Sequence, residues 1–286
     1  MTGGVTPRFA VLGHPVHHSL SPRMQNAAFR AAGMDAAYVA LDVPPVRLEA
    51  ALASLHEEGF QGLNVTLPHK EAAFRLLAAA TEAARIAGAA NTLRRIEGGW
   101  EGDATDGAGF IAWLDALGLP SRGARALIVG AGGAARSVAV ALAGRGAAAI
   151  EIVNRTRERA ESLAAAVRSA AAPETLVSVG AWSGPGAGKG APAPGRWNFL
   201  VRAVSSEEVS AEERRWWEGL GERGRVLDLN YGSRARRARA EAERAGLAFE
   251  DGLTLLLEQG VLSFQFWTGQ RAPRDAMLAA IASESM

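Results

Sequence analysis

Ala124-Arg-Ala-Leu127-Ile-Val129-Gly130-Ala131-Gly132-Gly133-Ala134-Ala135 is the stretch that decides the fold. Its first half is an apolar run of strand length that enters a glycine turn directly. A helix is predicted over Arg136 to Ala143. Strand, G-x-G-x-x-[GA] and helix in that order form the phosphate-binding turn of a doubly wound α/β domain. The glycines permit a tight turn and a close backbone approach to a pyrophosphate, which rests on the helix amino end. Gly130, Ala131, Gly132, Gly133 and Ala134 are therefore candidate cofactor contacts. The next predicted strand, Ala149 to Val153, ends at Asn154-Arg155-Thr156-Arg157. An NAD site usually places an acid there for the ribose 2′-hydroxyl. A guanidinium forks onto a 2′-phosphate instead, so Arg155 predicts NADP.

Downstream, a helix is predicted over Arg159 to Ala171, then a Gly/Pro/Ala-rich loop over Gly184 to Gly195. Trp197 to Val201 and Arg225 to Leu229 read as further strands. Tyr231 follows the second of them, at the carboxyl end where open α/β sheets bind ligands. Arg234 to Ala245 reads as a basic, solvated helix, and Leu253 to Trp267 as a strongly apolar one. Gln259 is a polar residue on that apolar helix and needs a partner. Pro273 is expected to start the last helix.

Upstream, Arg8 to Leu12, Ala37 to Leu41 and Phe60 to Val65 read as strands separated by helices, which implies βαβ crossovers and a mainly parallel sheet. Ser21 is expected to cap a helix whose first position is Pro22. Ser19, Ser21 and the free N–H groups of that helix start suit a carboxylate. The third strand runs into Asn64-Val-Thr66-Leu-Pro68-His69-Lys70, with Pro68 expected in the first turn of the next helix. Asn64, Thr66 and Lys70 would bring an amide, a hydroxyl and an amine to one concave point facing a hydroxylated ligand. Asn91-Thr92 stands at a strand start, and Asp106 is expected just before a helix over Ala108 to Leu117.

A chain of 286 residues suits two domains or one large α/β domain. A formal net charge of +1 gives no argument for nucleic acid or an anionic membrane. The absence of cysteine excludes disulfides, thiolate metal sites and Cys nucleophiles. His14, His17 and His18 have no companion cluster of acids, so no metal is expected. The first residues lack a basic and an apolar segment, so no signal peptide is expected, and no apolar run reaches membrane-spanning length. A cytoplasmic location is the expectation.

Read in order, His18 to Pro22, Gly62 to Lys70, Asn91 to Leu93, Thr105 to Gly107, Gly130 to Ala134, Asn154 to Thr156 and Gln259 to Gly269 resemble the shikimate dehydrogenase family. The matching family patterns are H-S-x-S-P, G-x-N-V-T-x-P-x-K, N-T-L, T-D-G, G-A-G-G-A, N-R-T and Q-G-x-x-x-F-x-x-W-T-G. The resemblance implies an α/β fold with an N-terminal substrate domain over residues 1–105 and a Rossmann-type NADP domain over 106–250. Helices over 251–286 would return to the first domain. It implies NADPH-dependent, reversible reduction of 3-dehydroshikimate to shikimate in aromatic amino-acid biosynthesis. Lys70 and Asp106 would be the catalytic pair, which fits a ketone reduction that needs a proton as hydride arrives. Ser19 and Ser21, with Tyr231, would hold the substrate carboxylate, and Thr66, Asn91, Asp106 and Gln259 the ring hydroxyls. Asn154, Arg155, Thr156, Arg159 and Gly252 would join the glycine turn at the cofactor.

Three departures stand out. The family usually shows N-A-T/S-S where this chain has Arg202-Ala203-Val204-Ser205, and a T-P where it has Arg234-Ala235-Arg236. A family Met appears as Leu255. The alternatives to a shikimate dehydrogenase are a broader quinate/shikimate dehydrogenase, or a shikimate-binding protein with weakened hydride transfer, which the Arg202 segment motivates. The implied partners are small molecules, with no nucleic acid and no membrane, and a monomer or homodimer is expected.

Overall fold

Among the described residues, strands and helices alternate along the chain and assemble into two six-stranded sheets. The computed structural model describes residues 6–183, 196–220 and 224–282, so the Gly/Pro/Ala loop over 184–195 lies outside the described residues. The chain divides into two units: residues up to Gly109 together with those from Leu256 onward, and Phe110–Leu255.

Unit 1 contains β1 (Arg8–Gly13), α1 (Ser21–Ala31), β2 (Ala37–Asp42), α2 (Leu48–Glu57), β3 (Gly62–Val65) and α3 (Lys70–Arg75). It continues with β4 (Ala79–Ala80), α4 (Glu82–Ala87), β5 (Thr92–Ile96), β6 (Gly99–Asp103) and the start of α5 (Thr105–Ala116). The strand order is β2-β1-β3-β5-β6-β4. β1 lies parallel between β2 and β3, while the β5-β6 hairpin pairs antiparallel with β3. Leu63, Val65, Leu93 and Trp100 bury one face against Leu48, Leu52 and Leu55 of α2.

Unit 2 contains β7 (Arg125–Val129), α6 (Gly133–Gly144), β8 (Ala149–Val153), α7 (Arg157–Ala170), β9 (Leu176–Val179) and β10 (Phe199–Arg202). It ends with α8 (Ala211–Trp217), β11 (Arg225–Asp228), α9 (Arg236–Arg244), β12 (Ala248–Glu250) and the start of α10 (Leu253–Thr268). All its strands pair parallel in the order β12-β11-β10-β7-β8-β9. The inner strands β7, β8, β10 and β11 are mostly buried on both faces and read as largely apolar runs, as parallel sheets require, while the edge strands β9 and β12 are more open. Phe110, Trp113 and the apolar sides of α6 and α7 form one core. Trp216 and Trp217 of α8, with Ala238 and Ala242 of α9, belong to the other. The strand order reverses between β7 and β10, and open sheets of this type bind ligands outside the carboxyl ends at that point.

The chain returns to unit 1 along α10 and continues into α11 (Arg274–Ile281), which packs on α1. Gln259, Ser263 and Trp267 are spaced four apart on α10 and so share one stripe. Ser263 meets Asn64 and Thr92, at 2.9 and 2.8 Å. Trp267 donates its indole N–H to Leu93 O at 2.8 Å. Gly62 permits this docking, because a Cβ there would lie 2.5 Å from the Trp267 ring. No helix among the described residues is long and apolar enough to cross a membrane.

Three local expectations are corrected. α1 begins at Ser21 itself and has no side-chain cap, because Ser19 Oγ instead accepts from the Ser21 N–H at 3.3 Å. Pro68 precedes α3, whose first residue is Lys70 and whose cap position is His69. α5 starts at Thr105, so Asp106 sits inside its first turn rather than ahead of it. In that turn its carboxylate complements the helix dipole, which explains why the helix extends that far back.

Candidate active site

In unit 1 the end of β3, the start of α3, the start of β5 and the first turn of α5 converge. Lys70 Nζ lies 2.8 Å from each carboxylate oxygen of Asp106. The lysine side chain is 15% exposed and the carboxylate 4%. Gln259 Nε2 donates to Asp106 Oδ1 at 2.8 Å. Asp106 thus holds a charge in a nearly dry place, and three charge-assisted contacts offset the lost hydration. Lys70 Nζ is held against that carboxylate and remains partly open.

The other unit 1 candidates are held by backbone and neighbours. Asn91 donates from Nδ2 to Thr105 Oγ1 at 3.0 Å, while its Oδ1 accepts from the Thr105 N–H at 2.9 Å. That clamp fixes the residue next to Asp106. Ala90 N–H donates to Lys70 O at 3.0 Å, which ties the Asn91 segment to the start of α3. Thr66 is half-buried, its N–H bonded to Leu12 O at 2.8 Å. Ser19 is half-buried and Ser21 buried at the start of α1. Asn64 does not face open space: it accepts from the Tyr38 hydroxyl at 2.7 Å and donates to Asn91 O at 3.0 Å and Ser263 Oγ at 2.9 Å. Its amide is taken up in anchoring α10, the helix that carries Gln259.

In unit 2 the glycine turn connects β7 to α6. Gly130 has φ +115°, and a Cβ on it would lie 2.4 Å from Ala203 O. Gly132 precedes the first turn of α6 and has nothing within 4 Å of where its Cβ would stand. Gly133 and Ala134 open that helix, which carries no acid in its first turn, while Ala131 is half-buried before it. Free N–H groups, open space and a bare helix amino end fit a dinucleotide pyrophosphate. After β8, Asn154 donates to Thr156 O at 2.9 Å and shapes the turn. Arg155 and Arg159 are exposed. Gly252 is buried, and a Cβ there would lie 2.4 Å from Leu229 O, so its position is a close backbone approach. Tyr231 follows β11 at the start of a short 3₁₀ turn in unit 2.

Among the described residues no group of three or more His, Cys, Asp or Glu could hold a metal ion. Family models match three stretches of the chain. Residues 11–93 match a shikimate dehydrogenase substrate binding domain, 116–178 a shikimate/quinate 5-dehydrogenase, and 252–282 a shikimate 5′-dehydrogenase C-terminal domain. The shikimate dehydrogenase (NADP(+)) of Anaeromyxobacter sp. strain Fw109-5 is 44% identical, covering 99% of this chain and 98% of the relative. The chain belongs to the shikimate dehydrogenase family.

Solved structures agree with that membership. A shikimate 5-dehydrogenase from Thermus thermophilus, in complex with NADP(H) and shikimate, superposes with TM-score 0.80 at 35% identity, over 98% of this chain and 100% of that one. A 5-ketofructose reductase of Gluconobacter sp. strain CHM43 superposes equally well, TM-score 0.80 at 30% identity, over 98% and 99%. The fold is therefore shared by proteins named as different reductases and dehydrogenases.

Two groups of residues near these sites have partners that the sequence reading did not supply. One is Thr105 with Tyr38, Thr92 and Ser263, whose hydroxyls orient Asn91 and Asn64. Spacing four residues after Gln259 marks Ser263, but nothing local marks the rest. The other is Arg202, whose side chain is fully buried, with Nε 2.8 Å from Glu213 Oε1 and Nη1 3.0 Å from Asp228 Oδ2. Two carboxylates face one guanidinium, so the cluster has an excess negative charge when all are ionised. Burial pushes the Glu213 carboxyl up to about 7 against the pull of Arg202. Burial also raises the Asp228 carboxyl, against Arg202 and the Asn230 hydrogen bonds.

Proposed function

We propose that the protein catalyses the reversible NADPH-dependent reduction of 3-dehydroshikimate to shikimate. The observation that carries this reading is the Lys70–Asp106–Gln259 constellation, a guarded proton beside hydroxyl-binding groups. NADPH, when bound, supplies the hydride. Lys70 Nζ gives a proton to the carbonyl oxygen during reduction and takes it back from the alcohol in the reverse direction. Asp106 orients that ammonium and accepts from a ring hydroxyl, and Gln259 fixes the carboxylate that does so. Asn91 and Thr66 contribute further ring-hydroxyl contacts, and Ser19 and Ser21 receive the substrate carboxylate. Gly130 to Ala134 at the amino end of α6 would hold the pyrophosphate, with Asn154, Thr156 and Gly252 shaping the turns beside it. Arg155 and Arg159 would hold the 2′-phosphate.

In this reading unit 1, which carries Lys70, Asp106 and Gln259, serves the substrate, and unit 2, which carries the glycine turn and Gly252, serves the cofactor. The protein acts in the cytoplasm as a monomer or homodimer, on small molecules rather than nucleic acid. The motive for a binding protein without turnover weakens, because the Arg202 guanidinium is engaged by Glu213 and Asp228. Initial rates with shikimate and with quinate, each with NADP+ and with NAD+, test the proposal. Turnover of shikimate with NADP+ supports it; quinate turnover of similar efficiency selects the broader enzyme; shikimate binding without turnover rejects catalysis.

A further inference from the structure

We propose that Arg202 is a positioning residue for NADP(H), holding residues 203–208 against the glycine turn from beneath the point where the unit 2 strand order reverses. The inference rests on the reading that unit 2 binds NADP(H). Arg202 is the last residue of β10 and pairs in register with Val129, the last residue of β7. Those two strand ends flank the place where ligands bind in such sheets.

The guanidinium directs its donors to both sides. Nε and Nη1 face Glu213 and Asp228. Nη2 donates to Ser206 O at 2.7 Å and Glu208 O at 2.8 Å, so it fixes the loop that follows β10. Asp228 passes the constraint on: its Oδ1 accepts from the Asn230 N–H and side-chain amide, each at 2.9 Å. Asn230 in turn donates to Val204 O at 2.8 Å. The segment starting at Ala203 is thus gripped at 204, 206 and 208 by one connected network. Ala203 O is also the atom that a Cβ on Gly130 would strike, at 2.4 Å. A shift of this loop is therefore felt directly at the first glycine of the turn. A buried guanidinium held by four partners has little freedom, so it can fix the loop without facing the ligand itself.

The test measures Kd for NADP+ and for shikimate by titration calorimetry, with Tm, on the full chain. Arg202→Lys keeps a cation for the acids but cannot reach both carbonyls. The triple variant Arg202→Met, Glu213→Gln, Asp228→Asn removes the buried charges together, which often leaves stability intact. In either variant the Kd for NADP+ is expected to rise about tenfold, the scale of one charge-assisted hydrogen bond, with shikimate Kd within about twofold. A folded variant with the parental NADP+ Kd overturns the inference, as does an equal weakening of both ligands. A parent protein that binds no NADP+ sinks the cofactor reading itself, and this inference with it.

Discussion

Gln259 and Asp106 stand 153 positions apart in the chain and share a 2.8 Å hydrogen bond. One comes from α10 and the other from the first turn of α5, so the contact exists only because the chain returns to unit 1. The bond takes one acceptor position of a buried carboxylate that Lys70 also engages. Gln259→Ala removes a hydrogen bond to a charged group, worth about 1.5–3 kcal/mol, so the KM for shikimate should rise about ten- to hundredfold. Initial-rate kinetics check this. A raised NADP+ KM with unchanged shikimate KM would assign Gln259 to the wrong ligand.

Lys70→Ala should lower kcat by about two or more orders of magnitude, the usual effect of losing a positioned proton donor. It should also lower Tm, because it leaves the Asp106 carboxylate buried without its cation. Adding Asp106→Asn to that variant should restore part of the Tm and none of the kcat. Calorimetric melting beside steady-state rates separates the two effects. An unchanged kcat removes Lys70 from proton transfer.

Arg155 follows β8 with an exposed side chain. Arg155→Asp should cut kcat/KM with NADP+ about a hundredfold, by losing a bidentate phosphate contact and adding repulsion. The same change should improve use of NAD+, whose 2′-hydroxyl accepts an acid partner. The readout is the ratio of kcat/KM for the two cofactors. A ratio that stays put would place the 2′-phosphate elsewhere.

Glu213 gives a pH prediction. Its ordinary value is 4.5, and burial pushes it up to about 7 in the folded protein. The folded state therefore holds this proton more tightly than the unfolded chain does. Its contribution to stability is complete below about pH 4.5 and is lost as pH rises through about 7. Glu213→Gln cannot ionise, so the Tm of the variant should gain on the parent between those values and level off above them. Thermal melts of both proteins across that range test the sign. A gap that is flat, or that moves in favour of the parent, would show that Arg202 outweighs burial.

The glycine turn was legible because its requirements are local. A backbone at φ +115° favours glycine at position 130, and strand and helix flank it directly. Asn64 was legible as a residue with a purpose but not with its actual one. Its partners Tyr38 and Ser263 lie 26 and 199 positions away, and no spacing rule connects them.

Alternating apolar strands and amphipathic helices determined by themselves the α/β class, and the residue types at 130–135 and 154–156 determined the dinucleotide character. Periodicity and turn chemistry act over a few residues, so a linear reading recovers them. The fate of Arg202 was decided only in three dimensions. In the sequence it is a charge at a strand end; in the fold it is a buried cation between Glu213 and Asp228. The reason is that the energy of a charge depends on its surroundings, and those are supplied by elements that the chain brings together only when the sheet has formed.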